Sequence, residues 1–354
     1  MSWLPPDDDD DGDYAEYDES AARVRPNPKG NKPRSKIRPE HADAVSGRVF
    51  SVDRGRYGVW VDEGTPEERQ VVAAKARELG KTSLDKAGDG KVSVVTGDWV
   101  DLVGDVSGDE GSLSRIVRIQ PRTTLLRRSA DDTDAVERII VANADQMLIV
   151  VAAKDPEPRP RLVDRYLVAA FDAGITPLLC VTKTDLADPT EFLANFAGLD
   201  VRVFRSRSDD FPIEEIREAL QGHTTVAVGH SGVGKSTLVN ALVPDANRAI
   251  GRVNDVTGRG RHTSSSTISY RIGSGWIVDT PGVRSFGLGH VDPANILKSF
   301  TDLAEIAESC PRGCTHLPDS PDCAIIERVN AGELGEVGKL RLDSFQRLIT
   351  TLGS

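Results

Sequence analysis

Residues 224–243 read TTVAVGHSGVGKSTLVNALV, and this stretch constrains the fold more than any other. An apolar run rich in β-branched residues leads into a glycine-rich octapeptide. A run with apolar residues three and four apart follows. The pattern is strand, loop, helix. Gly229, His230, Ser231, Gly232, Val233, Gly234, Lys235 and Ser236 match the phosphate-loop spacing in full. The glycines let backbone N–H groups converge on phosphate oxygens where a Cβ would intrude. The start of the helix adds partial positive charge. Lys235 is expected to reach the β- and γ-phosphates and Ser236 to ligate Mg2+. Thr237, next in the helix, is counted with the nucleotide-binding residues.

Such a loop needs a parallel sheet behind it. Apolar runs recur at 146–153 (QMLIVVAA), 175–185 (ITPLLCVTKTD), 201–206 (VRVFRS) and 275–282 (GWIVDTPG), with helical stretches between several of them. Strands buried on both faces and alternating with helices predict a parallel sheet with helical crossovers. The chain has 354 residues, which at roughly 150 per domain predicts two or three domains. The expected class is a multidomain α/β protein divided four ways. Residues 1–44 read as a disordered tail. Residues 1–20 hold nine acids and no Lys or Arg, residues 23–38 hold seven Lys or Arg and no acid, and little there is apolar. Residues 45–126 carry short strands broken by Gly and Asp turns, which suits a small barrel, OB-like or SH3-like. Within them, 66–79 (PEERQVVAAKAREL) reads as a helical or flexible insertion. Residues 127–290 form the nucleotide-binding domain. Residues 291–354 read as helical, with Ile296, Leu297, Phe300, Leu303 and Ile306 on one stripe.

The base is chosen by Thr182, Lys183, Thr184 and Asp185, which follow the strand PLLCV at the carboxyl edge of the sheet. This is the Asn-Lys-x-Asp pattern with Thr in the first place. A carboxylate accepts two hydrogen bonds from guanine N1–H and N2–H2, a donor pair that adenine lacks. The turn Ser206-Arg207-Ser208 is expected to support the base, with Ser206 as the chosen residue. Asp279 ends the strand before Thr280-Pro281-Gly282 and is expected to hold Mg2+, with the Gly282 N–H meeting the γ-phosphate. Val283 stands where a water-orienting Gln is common. The group that helps hydrolysis must then lie elsewhere. Residues 251–267 (GRVNDVTGRGRHTSSST) suit a switch loop. In it Thr263, with Ser264 as the alternative, can reach Mg2+, and His262 can position or deprotonate water.

Cys310, Cys314, His316 and Cys323 offer three thiolates and one imidazole within 14 residues. That donor set suits one closed, structural, tetrahedral Zn2+ per chain. Cys180, in an apolar strand, reads as ordinary core.

Composition narrows the rest. A formal charge of −11 argues against a uniformly basic nucleic-acid binder, although Arg248, Arg252, Arg259 and Arg261 cluster near the switch segment. No apolar run approaches the roughly 18 residues of a membrane span, and the opening MSWLPPDDDDDGD does not read as a signal peptide. Four cysteines do not make a disulfide scaffold, so a cytoplasmic protein with one metal site is expected. A nucleotide-gated RNA-binding switch and a metabolic G-protein or small-molecule kinase stay open beside a GTP-hydrolysing enzyme.

The motif order is unusual. The guanine tetrapeptide precedes the phosphate loop, and the switch and Asp279 follow it, so the domain is circularly permuted. With GHSGVGKSTLVNAL, TKTDL, GRGRHT, VDTPGVRSFGL, VANADQMLIV and the cysteine segment, residues 45–350 resemble the ribosome small subunit-dependent GTPase A family. The resemblance implies an OB barrel, a permuted GTPase domain and a helical zinc domain. It implies a cytoplasmic GTPase that is slow alone and stimulated by the small (30S) ribosomal subunit, in whose late maturation it acts. The expected partners are that subunit with its rRNA, and GTP or GDP with Mg2+, with no membrane and a monomeric chain. The family's catalytic histidine maps to His262. The family usually has four residues between its first two cysteines, and here there are three.

Overall fold

The computed structural model describes residues 41, 43–77, 79, 93–129, 137–244, 267–280, 286, 288–289 and 291–353. Among the described residues the first five strands are short: β1 (Val45–Asp53), β2 (Arg56–Val61), β3 (Arg69–Lys75), β4 (Trp99–Gly104) and β5 (Ser114–Ile119). They pair β1–β2–β3–β5–β4, and β4 returns to β1, so the barrel closes. The β3–β5 pair is parallel and the others are antiparallel. This connectivity, with a parallel closing pair, is OB-like. Val49, Val59, Val61, Val71, Ala73, Val100, Leu102 and Ile116 alternate inward and fill the interior.

The segment 66–79 corrects the expected insertion, because β3 runs through it. Its Glu, Ala and Lys favour a helix locally. Val71 and Ala73, however, sit two apart and point into the barrel, and β2 and β5 satisfy the backbone on both sides. Tertiary pairing overrides propensity here.

A two-stranded ribbon, β6 (Leu125–Ser129) with β7 (Glu137–Ala142), leads to the second layer. Strands β8 (Gln146–Ala152), β9 (Thr176–Thr182), β10 (Arg202–Arg205), β11 (Thr224–Val228), β12 (Ile268–Ile272) and β13 (Gly275–Asp279) lie in the order β10–β9–β8–β11–β13–β12. All pairs are parallel except β12–β13. The sheet is therefore mixed, and the antiparallel strand β12 has no counterpart among the apolar runs that betray the other strands. Every residue of β8 and β11 is buried, as expected of central strands covered on both faces.

Helices α1 (Pro160–Asp172), α2 (Thr190–Ala194), α3 (Ile213–Leu220) and α4 (Lys235–Leu242) connect the strands. The chain then runs through α5 (Pro293–Lys298), α6 (Thr301–Ala307), α7 (Ala324–Asn330) and α8 (Gly335–Thr350). One core, on the α1 face, continues from Met147, Ile149 and Tyr166 through Phe286 to Ile296, Phe300, Leu303 and Phe345. The other face packs Leu148, Phe204 and Ile216 against Leu238 and Tyr270. Cys180 lies in that second core, and burial pushes its thiol up to about 12. Among the described residues no helix is long and apolar enough to cross a membrane.

Barrel and sheet are continuous, because β1 pairs with β12 at Ser51 and Ile268. The junction is polar inside. Arg48 in β1 is 8% exposed, donates to Thr224 Oγ1 at 2.6 Å and lies 5.1 Å from the Trp276 ring. The Trp276 indole donates to Glu63 Oε1 at 2.7 Å. Burial holds the Arg48 guanidinium below its ordinary range, with Glu63 opposing that effect.

Candidate functional site

Parallel pairing sets the site. Val228 pairs with Ile149, Ala227 with Asp279 and Ala152 with Thr182. The carboxyl ends of β8, β9, β11 and β13 therefore meet at one edge, where open α/β sheets bind ligands. The loop 229–236 leaves β11 at that edge and enters α4. Gly229 is required by proximity, since a Cβ there would lie 2.5 Å from Val150 O. Gly234 precedes α4 with φ +90°, a backbone that favours glycine. Ser236 and Thr237 are exposed on the first turn, and Val233 is buried beneath the loop. His230 Nδ1 lies 3.0 Å from the Ser231 carbonyl.

Lys235 and Asp279 come together although 44 residues separate them, because β11 and β13 are neighbours. The ammonium contacts Asp279 Oδ1, and both groups are largely buried. Thr280 is fixed below by a 2.8 Å hydrogen bond to the Ala227 carbonyl. An ammonium and a carboxylate thus share one corner of the sheet beside the glycine-rich loop.

The tetrapeptide lies beside it. Thr182 Oγ1 is 2.6 Å from the Val233 carbonyl and ties β9 to the phosphate loop. Lys183 donates to the carbonyls of Asp155 and Gly232. Thr184 donates from N and Oγ1 to the Ser206 carbonyl, at 3.0 and 3.1 Å. Asp185 Oδ1 accepts from Ser208 N at 2.6 Å and Ser208 Oγ at 3.0 Å. Those bonds, the backbone one foremost, hold the Asp185 carboxyl below the ordinary carboxylate range. Ser206 is buried; its carbonyl accepts from Thr184, and its hydroxyl faces the Arg207 and Asp210 carbonyls at 3.1 and 3.4 Å. Ser208, in the turn expected to support the base through Ser206, is the residue that touches the Asp185 carboxylate. Its signal was the hydroxyl two places after Ser206. His262, Thr263 and Gly282 lie outside the described residues.

The four candidate metal ligands also converge. Cys310, Cys314 and Cys323 Sγ lie 3.7, 3.4 and 3.5 Å from His316 Nδ1, and Cys310 Sγ is 4.0 Å from Cys323 Sγ. Tetrahedral zinc with sulfur at about 2.3 Å and nitrogen at about 2.05 Å has edges of about 3.6–3.8 Å, so the set fits that ion. The Ser320 hydroxyl sits 3.2 Å from Cys314 Sγ, and Gln346 Nε2 donates to the His316 carbonyl at 2.8 Å. The site thereby anchors α8 to the 310–323 segment.

The RsgA GTPase family model matches residues 119–289. A small ribosomal subunit biogenesis GTPase RsgA of Pseudomonas aeruginosa (strain UCBPP-PA14) is 34% identical over 341 residues, covering 90% of this chain and 94% of the relative. The chain belongs to the RsgA GTPase family. The similarly named RsgA 1 of Vibrio vulnificus (strain YJ016) is 36% identical over 269 residues, covering 73% of this chain and 74% of its own. The crystal structure of YloQ, described as a circularly permuted GTPase, superposes with TM-score 0.62 at 24% identity, covering 89% of this chain and 97% of that one. YjeQ from Thermotoga maritima gives 0.61 at 23% identity over 88% and 99%. Those two likenesses bear on the fold alone.

Proposed function

We propose that this protein is a GTPase (GTP and water to GDP and phosphate) that works in maturation of the small ribosomal subunit, contacts its rRNA and is stimulated by it. The observation that carries the reading is the meeting of Lys235, Asp279, Thr182 and Asp185 at one sheet edge, in a chain whose relatives are named for that role. Lys235 and the N–H groups of 229–237 take the phosphates, and the Asp185 carboxylate takes the guanine N1–N2 edge. Ser236, Thr263 and Asp279 would be the oxygen donors for Mg2+, which would supply neutralisation of the phosphate charge. Lys235 then exchanges its contact with Asp279 for phosphate oxygens. His262 positions or deprotonates the attacking water, and the Gly282 N–H meets the γ-phosphate. Cys310, Cys314, His316 and Cys323 hold one structural Zn2+.

The same reading assigns a tail to 1–44, the barrel to 45–126, the GTPase domain to 127–290 and the zinc-binding helices to 291–354. It places a monomer in the cytoplasm. The test is multiple-turnover GTP hydrolysis with and without 30S subunits. The parent is expected to be slow alone and faster with subunits. His262→Ala should keep GDP affinity and subunit binding yet lose on the order of 10²-fold of the stimulated rate. Full stimulated turnover without His262 refutes its role, and no GTP hydrolysis by the parent in either condition refutes the reading.

A further inference from the structure

Thr182 ends β9 where the guanine tetrapeptide usually has asparagine. Its side chain is 1% exposed. Its Oγ1 faces two main-chain oxygens, Val233 O at 2.6 Å in the phosphate loop and Val151 O at 3.2 Å at the end of β8. Carbonyl oxygens only accept, and a hydroxyl has one proton to give. The shorter bond takes it. Thr184 likewise commits its hydroxyl proton to Ser206 O at 3.1 Å. The Lys183 ammonium sits on the Asp155 and Gly232 carbonyls.

An asparagine amide carries two N–H donors. It can satisfy a loop carbonyl with one and offer the other to the bound base. Threonine satisfies the carbonyl and has nothing left. The atom that goes without follows from the shape of the nucleotide. Asp185, held by Ser208 three residues further along, takes the Watson–Crick edge. The five-membered ring carries the ribose and therefore lies toward the phosphate loop, where Thr182 sits. On that ring N7 is an acceptor.

We propose that Thr182 is a positioning residue that braces the base strand against the phosphate loop, and that its presence leaves guanine N7 unread, so that this chain accepts guanine nucleotides altered at N7. The proposal rests on the guanine-nucleotide reading above and specifies which edges of the base are recognised. Specificity then falls on the Asp185 carboxylate alone among the tetrapeptide side chains.

The experiment is an equilibrium titration of the full chain with GDP, 7-deaza-GDP and ADP. The parent should bind GDP and 7-deaza-GDP within about twofold of each other and ADP far more weakly. Thr182→Asn should separate the first two by about fivefold in favour of GDP, the worth of one added hydrogen bond. Thr182→Val, which keeps shape and removes the proton, should weaken both by about the same fivefold factor. A parent that loses fivefold or more with 7-deaza-GDP overturns the proposal while leaving guanine binding intact. A Thr182→Val chain with undiminished affinity for both overturns the brace. A parent that does not prefer GDP to ADP overturns the guanine reading and the proposal with it. Should either variant fail to fold, the parent's own ratio still decides the N7 question.

Discussion

Arg347→Met tests how α8 is fastened to the nucleotide-binding sheet. Arg347 Nε lies 3.2 Å from both carboxylate oxygens of Asp164 in α1. The Asp164 side chain is 1% exposed and that of Arg347 is 34% exposed. Removing one partner of a buried pair costs about 3–5 kcal/mol because a charge is stranded. Arg347 is partly in solvent, so screening reduces that to about 2 kcal/mol. Methionine keeps the stem packed near Phe196, whose ring centroid lies 5.5 Å from the guanidinium carbon, and deletes only the charge. Burial pushes the Asp164 carboxyl above the ordinary carboxylate range, and Arg347 opposes that shift. A carboxyl raised in the native state binds its proton more tightly folded than unfolded. Its ionised form therefore costs stability above that range, and acidification relieves the cost. Without Arg347 the carboxyl rises further. The variant's deficit should be about 2 kcal/mol at pH 8 and clearly smaller at pH 5. Urea unfolding followed by helical circular dichroism at the two pH values measures it. Adding Asp164→Leu should recover most of the loss at pH 8. An equal deficit at both pH values, or none at pH 8, refutes the argument.

Two further outcomes follow from the sites. Asp185→Asn should cost GDP on the order of tenfold or more in affinity and improve binding of xanthosine diphosphate, whose O2 can accept from the new amide; an unchanged GDP-to-XDP ratio shows that Asp185 does not read the base. The parent should carry one zinc per chain by elemental analysis, and Cys323→Ser should lose it and broaden the thermal transition of α5–α8; a folded, chelator-free parent without zinc excludes the site.

The legible features were local ones. The phosphate loop, the tetrapeptide and the cysteine cluster are each written within 14 residues of sequence, because each needs particular atoms at short range. Strands covered on both faces were visible as unbroken apolar runs. What stayed hidden depends on distant partners. The strand β3 was masked by helix-favouring residues and is fixed by β2 and β5. The strand β12 alternates too briefly to stand out. Thr182 departs from its motif with no local reason, and its partner Val233 lies 51 residues away. The junction of Arg48 with Thr224 spans 176 residues and leaves no mark on either local pattern.

The strand order also has a consequence for a chain made from its amino end. Of the strands in this sheet, β8, β9 and β10 leave the ribosome first and can pair at once, before the Val233 carbonyl that holds Thr182 has been made. The edge of β8 destined for β11 then stays open until residue 224 emerges, and β11 in turn lacks its outer neighbour until β13 is complete at Asp279. An open edge of wholly buried residues invites wrong pairing during that interval. The nucleotide cannot shield it, because a ligand stabilises only the form it binds, and that form requires Lys235 and Asp279 together. The newborn chain is thus most vulnerable after β10 is complete, while the glycine-rich loop and β13 are still being translated.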